Sequence, residues 1–173
     1  MIAYQIRRAT ADDAAALAQL ARRTFVESYA SLCDEQAMRN HCDRHFGEAQ
    51  QRAEILDPHY VVLLLYVGEE LVGLAQVVRR TLPACLTQTN AIALQRYYLL
   101  QTWQGKGLGQ ALLNAVIEAA LSLGGVYLWL SVWEKNPRAI AYYLKAGFAC
   151  MGETGYLFDD EMQTDLVMLK QII

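Results

Sequence analysis

Three glycines fall within five residues in the stretch Gln104-Gly105-Lys106-Gly107-Leu108-Gly109. That density removes the side chains that would stop backbone N–H groups from converging on one point. Where such a loop opens a helix, the converging amides add to a partial positive charge of about one half at the helix N-terminus. The ligand suited to this geometry is an anion with several oxygens, such as a pyrophosphate. Two common phosphate patterns do not fit. Lys106 is followed by Gly107 rather than Ser or Thr, so the NTPase phosphate loop is absent. Counting from Gly105 or Gly107, the third position of a dinucleotide fingerprint is Gln110 or Leu112. A purely structural glycine turn is the alternative for this segment taken alone.

Other reactive side chains are less patterned. Cys33, Cys42, Cys85 and Cys150 contain no Cys-x-x-Cys pair, and they read as buried free thiols. His41 and His45 share a helix face but lack the intervening glutamate and a third ligand, so no metal site is expected. Tyr143 lies beside an apolar stripe of Ile140, Ala141 and Leu144, and by position alone it reads as a partly buried core tyrosine.

Two motifs carry a resemblance. Gln104-x-x-Gly107-x-Gly109 is similar to the acetyl-CoA pyrophosphate loop of the GNAT superfamily of N-acetyltransferases. Downstream, Asn136-Pro137-Arg138-Ala139-Ile140-Ala141-Tyr142-Tyr143-Leu144-Lys145-Ala146-Gly147-Phe148 resembles that family's second motif. The order and separation of the two motifs also match, and the resemblance extends over nearly the whole chain. It implies acetyl-CoA as co-substrate, no metal, and a pair of parallel strands that splay apart to admit the pantetheine arm. The backbone of Tyr98, Leu99 and Leu100 would pair with that arm. Gln104, Gly105, Lys106, Gly107, Leu108 and Gly109 would hold the pyrophosphate. Asn136 would cap the last helix and reach the pantetheine or thioester region.

The resemblance also assigns chemistry. When an amine attacks the thioester, coenzyme A leaves as a thiolate that needs a proton. Tyr143 would supply it, because a phenol with a reference pKa near ~10 is still protonated at neutral pH. Tyr142 is assigned to packing. An alkylammonium (reference pKa ~10.4) carries its lone pair in only about one molecule in two thousand at pH 7, so a base is expected. Many relatives place a glutamate on the strand before the glycine loop. Here that region reads Ala91-Ile92-Ala93-Leu94-Gln95, and the acid is missing. Glu27 and Glu134 are the candidates, each also readable as a solvated surface acid. No cysteine coincides with a motif position, so direct transfer is implied.

The tail from Gly152 to Leu166 is similar to bacterial members of the polyamine-acetyltransferase type. Its acidic run Asp159-Asp160-Glu161 either faces a polyamine or forms a solvated hairpin tip. A peptide N-terminus stays open as acceptor, and a non-catalytic acyl-CoA-binding or sensing domain is the competing function. The apolar final strand could pair between chains in a homodimer.

The elements that must position these residues follow from period and punctuation. Residues 4–8 read as a strand. Thr10 and Asp13 form a capping box ahead of a helix to about Arg23. A second helical region runs from Asp34 to Leu56, with Gly47 as a point of weakness. Strands at residues 59–67 and 71–78 form a hairpin, and residues 79–90 form a loop. A strand at 91–100 enters the glycine loop, a helix follows from Leu108, and Gly124-Gly125 stops it. An apolar strand at 126–132, a helix capped by Asn136-Pro137, and strands at 148–156 and 163–170 complete the order. The fold class expected is α/β (α+β): a mixed, mostly antiparallel sheet of about seven strands and about four helices, with the splayed parallel pair at strands 4 and 5. Residues 1–173 are expected to form one domain.

Composition narrows the class. With 54% hydrophobic and 19% charged residues, the chain has ample material for a core. A net charge of −3 and no Lys/Arg-rich run argue against nucleic acid. No apolar run approaches the ~20 residues of a membrane span. The first residues lack the apolar core of a signal peptide, so a cytoplasmic location is expected.

Overall fold

The computed structural model describes residues 2–173. Seven strands form one sheet: β1 Gln5–Arg8, β2 Tyr60–Val67, β3 Glu70–Val78, β4 Ala91–Leu99, β5 Tyr127–Trp133, β6 Ala149–Phe158 and β7 Glu161–Gln171, in the order β1-β2-β3-β4-β5-β7-β6. Five helices accompany it: α1 Ala14–Tyr29, α2 Glu35–His45, α3 Glu48–Leu56, α4 Leu108–Ser122 and α5 Pro137–Lys145. All neighbouring strands are antiparallel except β4 and β5. The mixed α/β architecture is therefore as expected, with five helices rather than about four.

The extra helix comes from Gly47. Its extended backbone (φ −70°, ψ 148°) interrupts the second helical region, and α3 restarts at Glu48. Asp34 opens α2 by accepting from the amides of Gln36 and Ala37. α1 runs six residues beyond Arg23, to Tyr29. Its buried stripe continues through Thr24 and Phe25, and the Thr24 hydroxyl donates to the Leu20 carbonyl at 2.8 Å. Packing thus overrides the weak helix propensity of a β-branched residue.

The main core joins α1, α2 and α4 to β2–β5, with Leu17, Leu64, Leu74, Ile92, Leu112 and Leu128 at most 1% exposed. A smaller cluster around Trp129, Val167 and Leu169 is covered by Leu86 from the loop after β3. Of the four free cysteines only Cys42 is buried, and Cys150 is exposed, so the uniformly buried expectation is corrected. β7 lies between β5 and β6 with both edges paired, so it offers no free edge to a second chain.

Two irregularities build the site. β4 and β5 pair only at Ala91↔Tyr127, Ile92↔Leu128 and Ala93↔Trp129, and then diverge. The β3–β4 register shifts at Gln76/Val77, leaving Gln95 as an extra residue that bends β4. The gap between the diverging strands is the start of a cavity.

Candidate active site

A cavity of about 790 Å³ fills the gap and is lined by β4, β5, the glycine loop, α1, α5 and the β6–β7 hairpin. Its size suits a ligand larger than a simple metabolite. The glycine loop forms one wall. Gly105 and Gly107 have φ of +74° and +82°, and a Cβ on either would meet nothing within 4 Å. Glycine is needed there for its left-handed backbone rather than for space. Gly109 has no such φ, and its Cβ would make ordinary 3.5 Å contacts with the Tyr97 and Tyr142 hydroxyls.

The decisive feature is what the loop amides do. Among the described residues, no backbone N–H from Gly105 to Gln110 has a protein acceptor; the next, Ala111, donates to the Gly107 carbonyl at 3.3 Å. Six successive donors at the α4 N-terminus are therefore without a protein acceptor, and Gly105, Gly107, Gly109 and Gln110 of that run line the cavity, a donor set that fits a diphosphate. Arg138 and Lys145 of α5 line the same cavity and add positive charge.

β4 presents its backbone to the gap. Leu100 donates its N–H to the Val72 carbonyl at 2.9 Å, toward β3. Because strand polar groups alternate in direction, the Leu99 N–H points the other way, into the gap. The Leu99 carbonyl on that side accepts from the Gln104 side chain at 2.9 Å, which ties the loop to the strand. Tyr98 and Leu99 line the cavity and Leu100 does not: it is 1% exposed, with its amide committed. Leu108 is also buried, anchoring the first turn of α4, and does not line the cavity. Lys106 stacks its ammonium over Trp103 at 4.6 Å and does not line the cavity.

Asn136 caps α5 through its side-chain oxygen, which accepts from Ala139 N–H at 3.2 Å, while its amide nitrogen lies 3.5 Å from the Tyr29 hydroxyl. About two turns on, Tyr143 lines the cavity, its ring against Phe148 and Tyr142 at centroid distances of 5.5 and 5.4 Å. Burial pushes its phenol well above the ordinary value of 10, and no protein group hydrogen-bonds to it. Tyr142 is used differently. Its hydroxyl lies 2.8 Å from that of Tyr97, which donates to the Gly109 carbonyl. This relay from α5 through β4 to α4 was not legible in the sequence, since its members are far apart along the chain.

The two acids proposed from sequence part ways. Glu27 lines the cavity, but Arg23 holds one carboxylate oxygen and the Gln101 N–H the other, each at 3.0 Å. Glu134 is exposed after β5 and does not line the cavity. The acidic turn is also accounted for. Asp159, in a left-handed conformation (φ 53°), accepts from Asn40 at 3.2 Å and sits 3.4 Å from Arg44, so it docks the hairpin tip on α2.

One acid escaped the sequence reading. Asp165 on β7 is 7% exposed, lines the cavity and forms no ion pair among the described residues. Burial raises its carboxyl above the ordinary 3.8, with the nearby Ser131 hydroxyl opposing the rise. The period-two phase of β7 held the signal, because Asp165 shares a face with buried Val167 and Leu169. His41 also lines the cavity, stacked on Phe25 (4.4 Å) and Phe158 (4.9 Å). Burial, followed by the charges of His45, Arg96 and Arg44, lowers it to about 4, so it is neutral at pH 7. No group of three or more His, Cys, Asp or Glu among the described residues is arranged to hold a metal ion.

Splayed parallel strands, a donor-rich glycine loop and a cavity between them define an acyl-CoA-type acyltransferase fold. The chain belongs to the acetyltransferase (GNAT) family, whose model matches residues 15–148. An uncharacterized N-acetyltransferase of Mycobacterium tuberculosis is 27% identical over 161 residues, 93% of this chain and 99% of that protein. A spermine/spermidine N(1)-acetyltransferase of Bacillus subtilis is 30% identical over 86 residues, covering 49% of this chain and 53% of that protein. The solved PaiA N-acetyltransferase of Thermoplasma acidophilum, in complex with coenzyme A, superposes with a TM-score of 0.80 at 20% identity, covering 98% of this chain and 99% of that one. The protein is accordingly an acyltransferase of the GNAT family. No helix among the described residues is long and apolar enough to cross a membrane.

Proposed function

We propose that residues 1–173 act as one domain that transfers the acetyl group of acetyl-CoA directly to a primary amine of a small molecule, with a polyamine favoured. The observation that carries this reading is the run of N–H groups from Gly105 to Gln110 without a protein acceptor, of which Gly105, Gly107, Gly109 and Gln110 line the cavity. They would bind the pyrophosphate, Tyr98 and Leu99 would pair along the pantetheine, and Gln104 and Asn136 would hold the loop and the start of α5 in place.

In the transfer, the amine lone pair attacks the thioester carbonyl carbon. The Leu99 N–H stabilises the oxyanion that forms. The C–S bond then breaks, its electron pair goes to sulfur, and the Tyr143 hydroxyl gives the thiolate its proton. The nitrogen newly bonded to the acetyl carbon sheds its extra proton, directly or through water, to the phenolate, leaving a neutral amide. Glu27, held by two donors, is poorly disposed to act as base, so water in the open cavity would carry the acceptor's proton away. The polyamine preference rests on the local likeness to a spermine/spermidine acetyltransferase. A peptide N-terminus is the alternative acceptor.

Thiol release from acetyl-CoA with a panel of mono-, di- and polyamines and peptides tests the reading. Turnover with an amine supports it. Coenzyme A binding without turnover for every amine would instead make the protein an acyl-CoA sensor, a reading for which the missing β4 glutamate leaves room.

A further inference from the structure

A carboxylate that is 93% withdrawn from solvent, with a hydroxyl but no cation beside it, is costly unless something else compensates its charge. Asp165 is such a group, 7% exposed and facing the cavity. Its surroundings are the wrong ones for a structural acid and the right ones for an organic cation. Tyr29, Trp133, Tyr156 and Gln163 line the cavity with it, so aromatic and amide groups stand beside the charge and no Lys or Arg reaches it. Aromatic faces and a carboxylate together attract an ammonium better than either alone.

Position distinguishes two roles. Asp165 pairs with Trp133 across β5–β7, whereas the Leu99 amide is on β4, on the far side of β5. Two inter-strand spacings of ~4.8 Å separate the strand axes at the least. A base must come within hydrogen-bond reach of the attacking nitrogen, so Asp165 is placed for a charge several methylenes away from it. The opposite sign gathers at the coenzyme end, where the loop amides, Arg138 and Lys145 lie.

We infer that Asp165 is the counter-ion for a second, non-reacting ammonium of the acceptor, and that it selects amines carrying at least two positive charges. This rests on the acetyltransferase reading and narrows its substrate class. Burial raises the Asp165 carboxyl above its ordinary value, and an ammonium beside it would favour the charged form.

The test compares spermidine and putrescine with n-butylamine at saturating acetyl-CoA, in the wild type and in Asp165→Asn. The wild type should prefer the polycations at least tenfold in kcat/KM. The variant should lose at least tenfold on them, through KM, and change less than twofold on n-butylamine. Asp165→Glu, which keeps the charge, should recover part of the preference. Equal losses on both amine classes, or an unchanged preference, overturn the inference while leaving the acetyltransferase reading standing. If no amine is acetylated, that reading fails. Calorimetric titration of spermidine into the coenzyme A-loaded protein still decides the inference, which requires binding that Asp165→Asn weakens at least tenfold and is overturned by equal or absent binding. The Asn side-chain oxygen can still accept from the Ser131 hydroxyl, so Asp165→Asn should melt no lower than the wild type.

Discussion

Replacing Tyr143 with Phe removes one oxygen and, by the geometry of the cavity, little else. The ring keeps its contacts with Phe148 and Tyr142. The hydroxyl has no protein partner, so its loss leaves no orphaned donor or acceptor, and stability should change by less than ~0.5 kcal/mol. Coenzyme A affinity should hold within about twofold, since the loop amides and the β4 backbone are untouched. The chemical step should not hold. General acid catalysis typically contributes 10²–10⁴-fold, so kcat should fall by that factor, about 2.7–5.5 kcal/mol of barrier. Tyr142→Phe is the matched control. It breaks the contact with Tyr97 and should cost ~1 kcal/mol of stability while leaving kcat within a few-fold. The assay is thiol release at saturating acetyl-CoA and amine, with coenzyme A titration and thermal melting on each variant. Because burial holds the Tyr143 phenol protonated well past pH 10, the wild-type kcat should show no alkaline fall from this residue up to that pH. A Tyr143→Phe enzyme that keeps kcat within threefold, or a Tyr142→Phe enzyme that loses the larger factor, would refute the assignment.

Three further outcomes follow from other parts of the molecule. Gly107→Ala places an L-residue at φ +82° in open space, so the cost is backbone strain of roughly 1–2 kcal/mol; coenzyme A affinity should fall about five- to thirtyfold by calorimetry with a melting decrease of a few degrees. Arg96 and Glu54 form a buried ion pair at 2.6 Å, with Gln76 donating to the same carboxylate at 2.7 Å. Arg96→Met should therefore cost ~3–5 kcal/mol in urea unfolding, because Glu54 is left buried and uncompensated. His41 has a folded-state pKa of about 4 against 6.5 ordinarily, so burial favours its neutral form. Its contribution is fully present above pH 6.5 and is lost as pH falls toward 4, by about 3 kcal/mol there; His41→Phe should flatten the melting profile across that window, leaving the smaller slope of His45, which is shifted the same way.

Much of the site is legible in the sequence because its key features are local. A positive φ at Gly105 and Gly107, and an Asn-Pro start to α5, are short-range requirements written in consecutive residues. The same locality explains why the helix and strand order was legible, and why Gly47 signalled a break whose completeness was not. Period alone could not carry α1 past Arg23, since the reason it continues is Phe25 packing against His41, Phe46 and Phe158.

What the chain order left open was decided across the sheet. β4 and β5 part after three pairs, which turns two ordinary strands into the walls of a cavity. Their separation also commits Leu100 to β3, frees the Leu99 amide and brings Tyr97 to Tyr142. Glu27 looked available until α1 set it against Arg23 and the Gln101 amide, and Asp165 looked incidental until β7 was inserted between β5 and β6. Residue type and spacing determined which chemistry the chain can support, because those are properties of neighbours in sequence. The partners of each acid and amide were settled only by the tertiary fold, because a charge is free or occupied according to what lies beside it in space.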